Sequence, residues 1–170
     1  MRIFLIGYMG SGKTTIGRQV AEQLNMSFAD MDDLIERKTG KSVPKIFSEL
    51  GEEKFRELER ECLMEMADYK QVIISTGGGA PCFFDNMQMM NSLGETIYIN
   101  LTPAELAARL RTTNLNERPI LASLQGDELE EFIASALQKR EAFYNRAKIK
   151  VSGTDSQIAD KIIKHLQGEF

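Results

Sequence analysis

A three-layer α/β/α phosphate-loop fold, with a central five-stranded parallel sheet and helices on both faces, is predicted by three observations in this 170-residue chain. Short β-rich runs alternate with helical patterns, no hairpin signal joins any two runs, and the first run leads into a complete G-x-x-x-x-G-K-[ST] loop. Strands joined through helices pair in parallel and are covered on both faces. The length suits a single domain, 1–170, with one core. A net charge of −4 argues against a nucleic-acid or anionic-membrane surface, since both need a basic stripe. No signal peptide or long apolar span is present, so a soluble, cytoplasmic chain is expected. Cys62 and Cys82 have neither metal spacing nor a disulfide framework and read as buried thiols.

Arg2-Ile3-Phe4-Leu5-Ile6 reads as a strand buried on both faces, and Ile16, Val20 and Leu24 recur every four residues in the helix that follows. Between them lies Gly7-Tyr8-Met9-Gly10-Ser11-Gly12-Lys13-Thr14. Three glycines let the backbone wrap a phosphate, so Gly10, Ser11, Gly12, Lys13, Thr14 and Thr15 form the nucleotide-binding set. Lys13 reaches the β- and γ-phosphates, and Thr14 offers its hydroxyl to a magnesium ion. A glycine-rich turn that merely starts a helix is the competing interpretation, and the match at all four constrained positions with both flanks correct disfavours it.

Ser27-Phe28-Ala29 reads as a second strand running into Asp30-Met31-Asp32-Asp33. Asp32 or Asp33 can cap a helix from Leu34 to Thr39, stopped by Gly40. If the chain stays extended, Asp30 and Asp32 point the same way, toward the end of the sheet where ligands bind. Ser42 and Pro44 open another helix that Gly51 ends, and a longer one runs from Glu52 to Asp68 with Phe55, Leu58, Cys62 and Met66 on its buried stripe. Arg56 and Glu59, three apart beside that stripe, read by periodicity alone as an exposed ion pair.

Val72 to Thr76 is a third buried strand ending in Gly77-Gly78-Gly79, a run whose chain entropy is explained by close approach of a ligand to the backbone. A Met-rich helix spans Phe84 to Leu93, Thr96 to Leu101 is the fourth strand, and Thr102-Pro103 caps a helix ending in Arg109-Leu110-Arg111. Residues 112–125 lack periodicity and are expected to form a mobile lid. A long helix from Leu129 to Ala147, a fifth strand from Lys148 to Val151 and a closing helix from Ser156 to Gln167 complete the chain. The one histidine, His165, falls on a polar face, which argues against a catalytic histidine.

The chain carries no Asn-Lys-x-Asp or Asp-x-x-Gly segment of a regulatory GTPase, and strand three ends in Ser75-Thr76 rather than in an acid. Asp30 is then the nearest magnesium-side carboxylate, and what remains is a small kinase with a lid. Six blocks now bear on the choice of acceptor: 7–18, Asp-Met-Asp (30–32), Ile-Phe (46–47) before Gly-Glu-Glu-Lys-Phe-Arg-Glu-Leu-Glu (51–59), Ser-Thr-Gly-Gly-Gly (75–79), Arg-Pro-Ile-Leu (118–121) and Arg-Glu-Ala-Phe-Tyr (140–144). In order and spacing they resemble the shikimate kinase family nearly end to end.

That resemblance implies MgATP-dependent phosphorylation of the 3-hydroxyl of shikimate, and the sequence suggests no interface beyond a monomer. It makes Asp32 the residue that holds the acceptor hydroxyl and Asp30 a metal-side carboxylate. Arg56 and Arg140 become the clamp on shikimate's carboxylate, with Glu59 orienting Arg56, and the Gly78 and Gly79 backbone meets the ring hydroxyls, with Gly77 also in the substrate-binding set. Phe47 and Phe55 wall the pocket, which lies in a helical region of about 32–61. Arg118 is the lid arginine at the transferring phosphate, and Arg111 lies against adenine. The loop Ser152 to Ser156 departs from the family's adenine-contacting pattern, and Glu117 is unexplained. Two alternatives stay open: a gluconate- or nucleotide-type kinase on the same core, and a non-catalytic ATP-binding relative.

Overall fold

The computed structural model describes residues 1–113 and 119–168. Five strands, β1 (Arg2–Ile6), β2 (Ser27–Asp30), β3 (Val72–Ser75), β4 (Glu95–Ile99) and β5 (Ile149–Val151), form one sheet in the order β2-β3-β1-β4-β5. Every pairing is parallel, with Leu5 opposite both Ser75 and Ile97 and with Asp30 opposite Ser75. Ile3, Phe4, Leu5 and Ile6 are all fully buried. Because neighbouring side chains on a strand point to opposite faces, both faces of β1 are covered, as predicted for a parallel sheet.

The helices are α1 (Lys13–Gln23), α2 (Met31–Thr39), α3 (Val43–Met66), α4 (Asn86–Leu93), α5 (Pro103–Arg111), α6 (Pro119–Ala122), α7 (Glu128–Tyr144) and α8 (Asp155–Leu166). Most predicted boundaries hold within three residues. Capping explains several of them: Thr102 and Thr154 each form a reciprocal capping box, with Glu105 and Gln157. Gly51 interrupts α3 where one helix was expected to end and the next to begin. With φ +85 and ψ 167 it splits the run into two helical pieces, the second of which carries Arg56 and Glu59.

Three expectations need correction. α2 begins at Met31 rather than Leu34, and its cap is Asp30, whose Oδ1 accepts from the N–H groups of Asp32 at 2.9 Å and Asp33 at 3.2 Å. Asp30 has the extended backbone a cap requires, and two further acids fall in the first turn, where the helix dipole favours them. Asp32 therefore leaves on a helical turn, not on an extended strand beside Asp30. His165 is not on a plain polar face: it is half-buried, with Nε2 3.6 Å from Glu95. Finally, the stretch 112–125, read as aperiodic, contains the short helix α6, and residues 114–118 of this expected lid lie outside the described residues.

The fold places the carboxyl ends of β1, β2 and β3 side by side. β1 delivers Gly7 to Thr14, β2 delivers Asp30 to Asp32, and β3 delivers Ser75 to Gly79 to that one rim.

Candidate active site

The phosphate loop sits between β1 and α1. Gly12 has φ +92, a left-handed conformation that a side chain would strain, and it opens α1 with no side-chain cap. The first N–H groups of α1 are thus left for an anion, at the positive end of the helix. Lys13 is buried and folds back over the loop, donating to the carbonyls of Gly7 at 2.7 Å and Tyr8 at 3.1 Å. A cleft of about 250 Å³ runs along Gly10, Lys13, Thr14, Asp30, Asp32 and Gly78. A larger cleft of about 430 Å³ lies along Asn100, Thr102, Glu141 and Ser152; its lining holds two carboxylates and no cation, which suits an anionic nucleotide poorly.

At the start of α1, Thr14 Oγ1 donates to Asp30 Oδ2 at 3.0 Å and lies 3.5 Å from Ser75 Oγ. Asp32 stands one helical step further in. Burial, reinforced by the Asp30 charge and opposed by Lys13, raises its pKa to about 6 from an ordinary value of 3.8. Its Oδ1 is buried with no protein hydrogen-bond partner among the described residues.

The glycine run explains itself through what lies against each residue. A Cβ on Gly77 would stand 2.5 Å from Glu59 Oε2 and 3.4 Å from Asp32 Oδ1. On Gly78 it would stand 3.3 Å from Arg140 Nη1, and on Gly79 it would stand 2.6 Å from both Arg56 Nη1 and Arg56 Nη2. Three consecutive glycines thus admit two carboxylates and two guanidinium groups onto one stretch of backbone. The predicted ligand approach has a counterpart in the chain's own charged groups.

Arg56 and Glu59 are not an exposed pair. Glu59 is fully buried, Arg56 is 9 % exposed, and Arg56 Nη1 donates to Glu59 Oε1 at 2.6 Å. Burial raises the Glu59 carboxyl to about 7, with the Arg56 charge opposing the shift. The Arg56 guanidinium lies 4.2 Å from the Phe83 ring centroid, 5.3 Å from that of Phe55 and 5.9 Å from that of Phe47. The Phe47 and Phe55 rings lie 4.6 Å apart. Arg140 extends from α7 over the ring of Tyr8, at 5.3 Å.

Lys13, Asp32, Arg56, Glu59, Gly77, Gly78, Gly79 and Arg140 therefore meet at one rim of the sheet. Arg111 turns away: it is exposed and donates to the Gly126 carbonyl at 2.8 Å. The α5 arginine at the phosphate loop is Arg109, 3.5 Å from the Ser11 carbonyl and 2.6 Å from Asp155. Two residues apart on a helix face nearly opposite ways, so only one of this pair could turn to the loop. Arg118 lies outside the described residues, as does Glu117. Sequence reasoning missed Phe83, Tyr144, Ser75 and Arg109. The Arg-Glu-Ala-Phe-Tyr block held the signal for Tyr144, while Phe83 carried none.

A parallel sheet with a phosphate loop, a threonine–carboxylate pair beside it and an adjoining pocket lined by two arginines is the arrangement of a small-molecule kinase of the phosphate-loop class. The family profile for shikimate kinase matches residues 9–169. A shikimate kinase of Phocaeicola vulgatus is 51 % identical over 147 residues, covering 86 % of this chain and 83 % of the relative. The 1.7 Å crystal structure of shikimate kinase from Bacteroides thetaiotaomicron superposes with a TM-score of 0.91 at 45 % identity, covering 99 % of this chain and 98 % of that one. Shikimate kinase from Acinetobacter baumannii, solved in complex with shikimate, gives a TM-score of 0.87 at 33 % identity, covering 98 % and 93 %. This chain belongs to the shikimate kinase family.

Proposed function

We propose that this chain transfers the γ-phosphoryl group of ATP to the 3-hydroxyl of shikimate, giving shikimate 3-phosphate and ADP in the biosynthesis of chorismate and the aromatic amino acids. The observation that carries it is the convergence of Arg56 and Arg140 on adjacent glycines beside Asp32 and the phosphate loop. A planar guanidinium grips a carboxylate through two parallel bonds, which suits a carboxylate-bearing acceptor better than a neutral polyol. Family membership supports the same reaction.

Lys13 leaves the carbonyls of Gly7 and Tyr8 for the β- and γ-phosphates, and the N–H groups from Gly10 to Thr15 cradle them. Asp32 aligns the acceptor hydroxyl and takes its proton late, because the transition state of phosphoryl transfer is loose. Arg56 and Arg140 fix the acceptor's carboxylate, Glu59 holds Arg56 in place, and Phe47 and Phe55 wall the ring. This acceptor side spans about 32–61, and the lid spans about 112–125. Arg118 supplies late positive charge, a role that rests on the resemblance; the adenine contact that the resemblance gives Arg111 requires that side chain to leave the Gly126 carbonyl.

The oxygen pair of Thr14 and Asp30, 3.0 Å apart, fits magnesium, which favours hard oxygen donors and one or two carboxylates completed by phosphate oxygens. When bound there, magnesium offsets charge on the β- and γ-phosphates. The proposal includes a monomer at work in the cytoplasm; no described helix is long and apolar enough to cross a membrane. A coupled ADP-release assay with shikimate, quinate and gluconate tests it. Shikimate should drive turnover and gluconate should not. Equal turnover with gluconate, an open-chain carboxylate, would contradict selection of the shikimate ring and leave only the carboxylate grip.

A further inference from the structure

The Tyr144 phenol has no part in the proposed reaction, yet it touches both components of the acceptor clamp. Tyr144 ends α7, one turn beyond Arg140, so the two side chains share a face. It is fully buried, and its hydroxyl donates to the Gly78 carbonyl at 2.5 Å while accepting from Arg140 Nη1 at 3.4 Å. Neither contact can run the other way, since a carbonyl only accepts and a guanidinium only donates. A phenol supplies one proton and spare lone pairs, so it serves both neighbours at once. Burial pushes the phenol well above its ordinary range, which keeps that proton in place. Its ring packs against Tyr98 with centroids 5.1 Å apart, and Arg140 is supported on another side by the Tyr8 ring.

We propose that Tyr144 is a positioning residue for the acceptor: it ties the Arg140 guanidinium to the Gly78 carbonyl, so that guanidinium and glycine backbone face shikimate at one fixed spacing. This rests on the function proposed above and adds a residue to it. Without the hydroxyl, Arg140 keeps the Tyr8 ring beneath it and loses its link to the backbone. The fault then falls on acceptor binding and leaves the nucleotide side untouched.

The test compares the wild-type chain with Tyr144→Phe, Arg140→Ala and the double variant. Turnover, both Michaelis constants, calorimetric binding of shikimate and of ADP, and thermal melting are measured for each. Tyr144→Phe keeps the ring on Tyr98 and should raise the shikimate Michaelis constant about tenfold, the effect of one lost hydrogen bond that leaves a buried partner unpaired. ADP affinity and the ATP Michaelis constant should stay within about twofold, and in the Arg140→Ala background the same change should add less than about threefold, because no guanidinium remains to be placed. Loss of both ligands together, a lower melting temperature with unchanged shikimate constants, or full additivity with Arg140→Ala would each overturn the role. A wild-type protein without shikimate-dependent turnover would instead sink the proposed function, whereas an active wild type matched by Tyr144→Phe sinks the role of Tyr144 alone.

Discussion

Gly79→Ala adds one methyl group and should disable the proposed acceptor clamp. Gly79 has φ −90, so alanine meets no backbone strain, and the whole effect comes from the new methyl group. That methyl would stand 2.6 Å from both terminal nitrogens of Arg56 and 2.8 Å from its central carbon. Ordinary contact begins near 3.4 Å, so the guanidinium must retreat by about 0.8 Å. It cannot do so freely, being bonded to Glu59 at 2.6 Å and stacked 4.2 Å from the Phe83 ring centroid. A misplaced guanidinium loses a charge-assisted bond to the acceptor worth about 1.5 to 3 kcal/mol, or roughly 10- to 100-fold in the shikimate Michaelis constant. Gly78→Ala makes a natural comparison, since its methyl would meet Arg140 Nη1 at 3.3 Å and needs only a slight adjustment. Steady-state kinetics with both substrates should show Gly79→Ala far worse than Gly78→Ala for shikimate, with the ATP constant unchanged in both. Equal effects, or an unaltered shikimate constant in Gly79→Ala, would refute the packing of Arg56 on that glycine.

The raised carboxyl of Asp32 yields a paired prediction. Its folded value of about 6 lies above the ordinary 3.8, so the stability tied to its neutral form is full below about pH 4 and is lost as pH rises through about 6. Asp32→Asn should therefore melt higher than wild type at pH 8 and equal to it at pH 4, while turnover falls on the order of 10²-fold or more. The acid limb of kcat/KM in the wild type should centre near 6; a limb near 4 would contradict the burial of Asp32. Arg118→Ala should lower kcat by on the order of 10³-fold with little change in ADP affinity, measured by single-turnover kinetics and calorimetry. Gly94→Ala would drive a methyl to 2.2 Å from the Arg2 carbonyl oxygen, and should destabilise the fold by about 2 to 4 kcal/mol in urea unfolding.

The phosphate loop was legible because its spacing encodes a backbone shape: glycines and lysine at fixed offsets need no distant partner to declare themselves. The bend at Gly51 was legible for the same local reason. The environment of Arg56 and Glu59 was not. Helical periodicity places them beside the buried stripe, but what buries them is the Gly77 to Gly79 segment arriving from β3, and no window around residue 56 contains that segment. The cap of α2 was expected at Asp32 or Asp33 and falls at Asp30, because three acids in four residues offer equivalent caps until the strand's end is known. Arg109 and Arg111 show a similar gap, since their choice of neighbour depends on where α5 lies against the phosphate loop and α8. Tyr144 reaches a partner 66 residues away, a pairing only the assembled sheet and helices create.

The most direct measurement is phosphorus NMR of the purified chain with magnesium, ATP and shikimate. A new phosphomonoester resonance should grow in step with ADP, coupled to the proton on carbon 3 of the shikimate ring. Release of inorganic phosphate alone, at a rate indifferent to shikimate, would contradict a shared site formed by the phosphate loop, Asp32 and the two arginines.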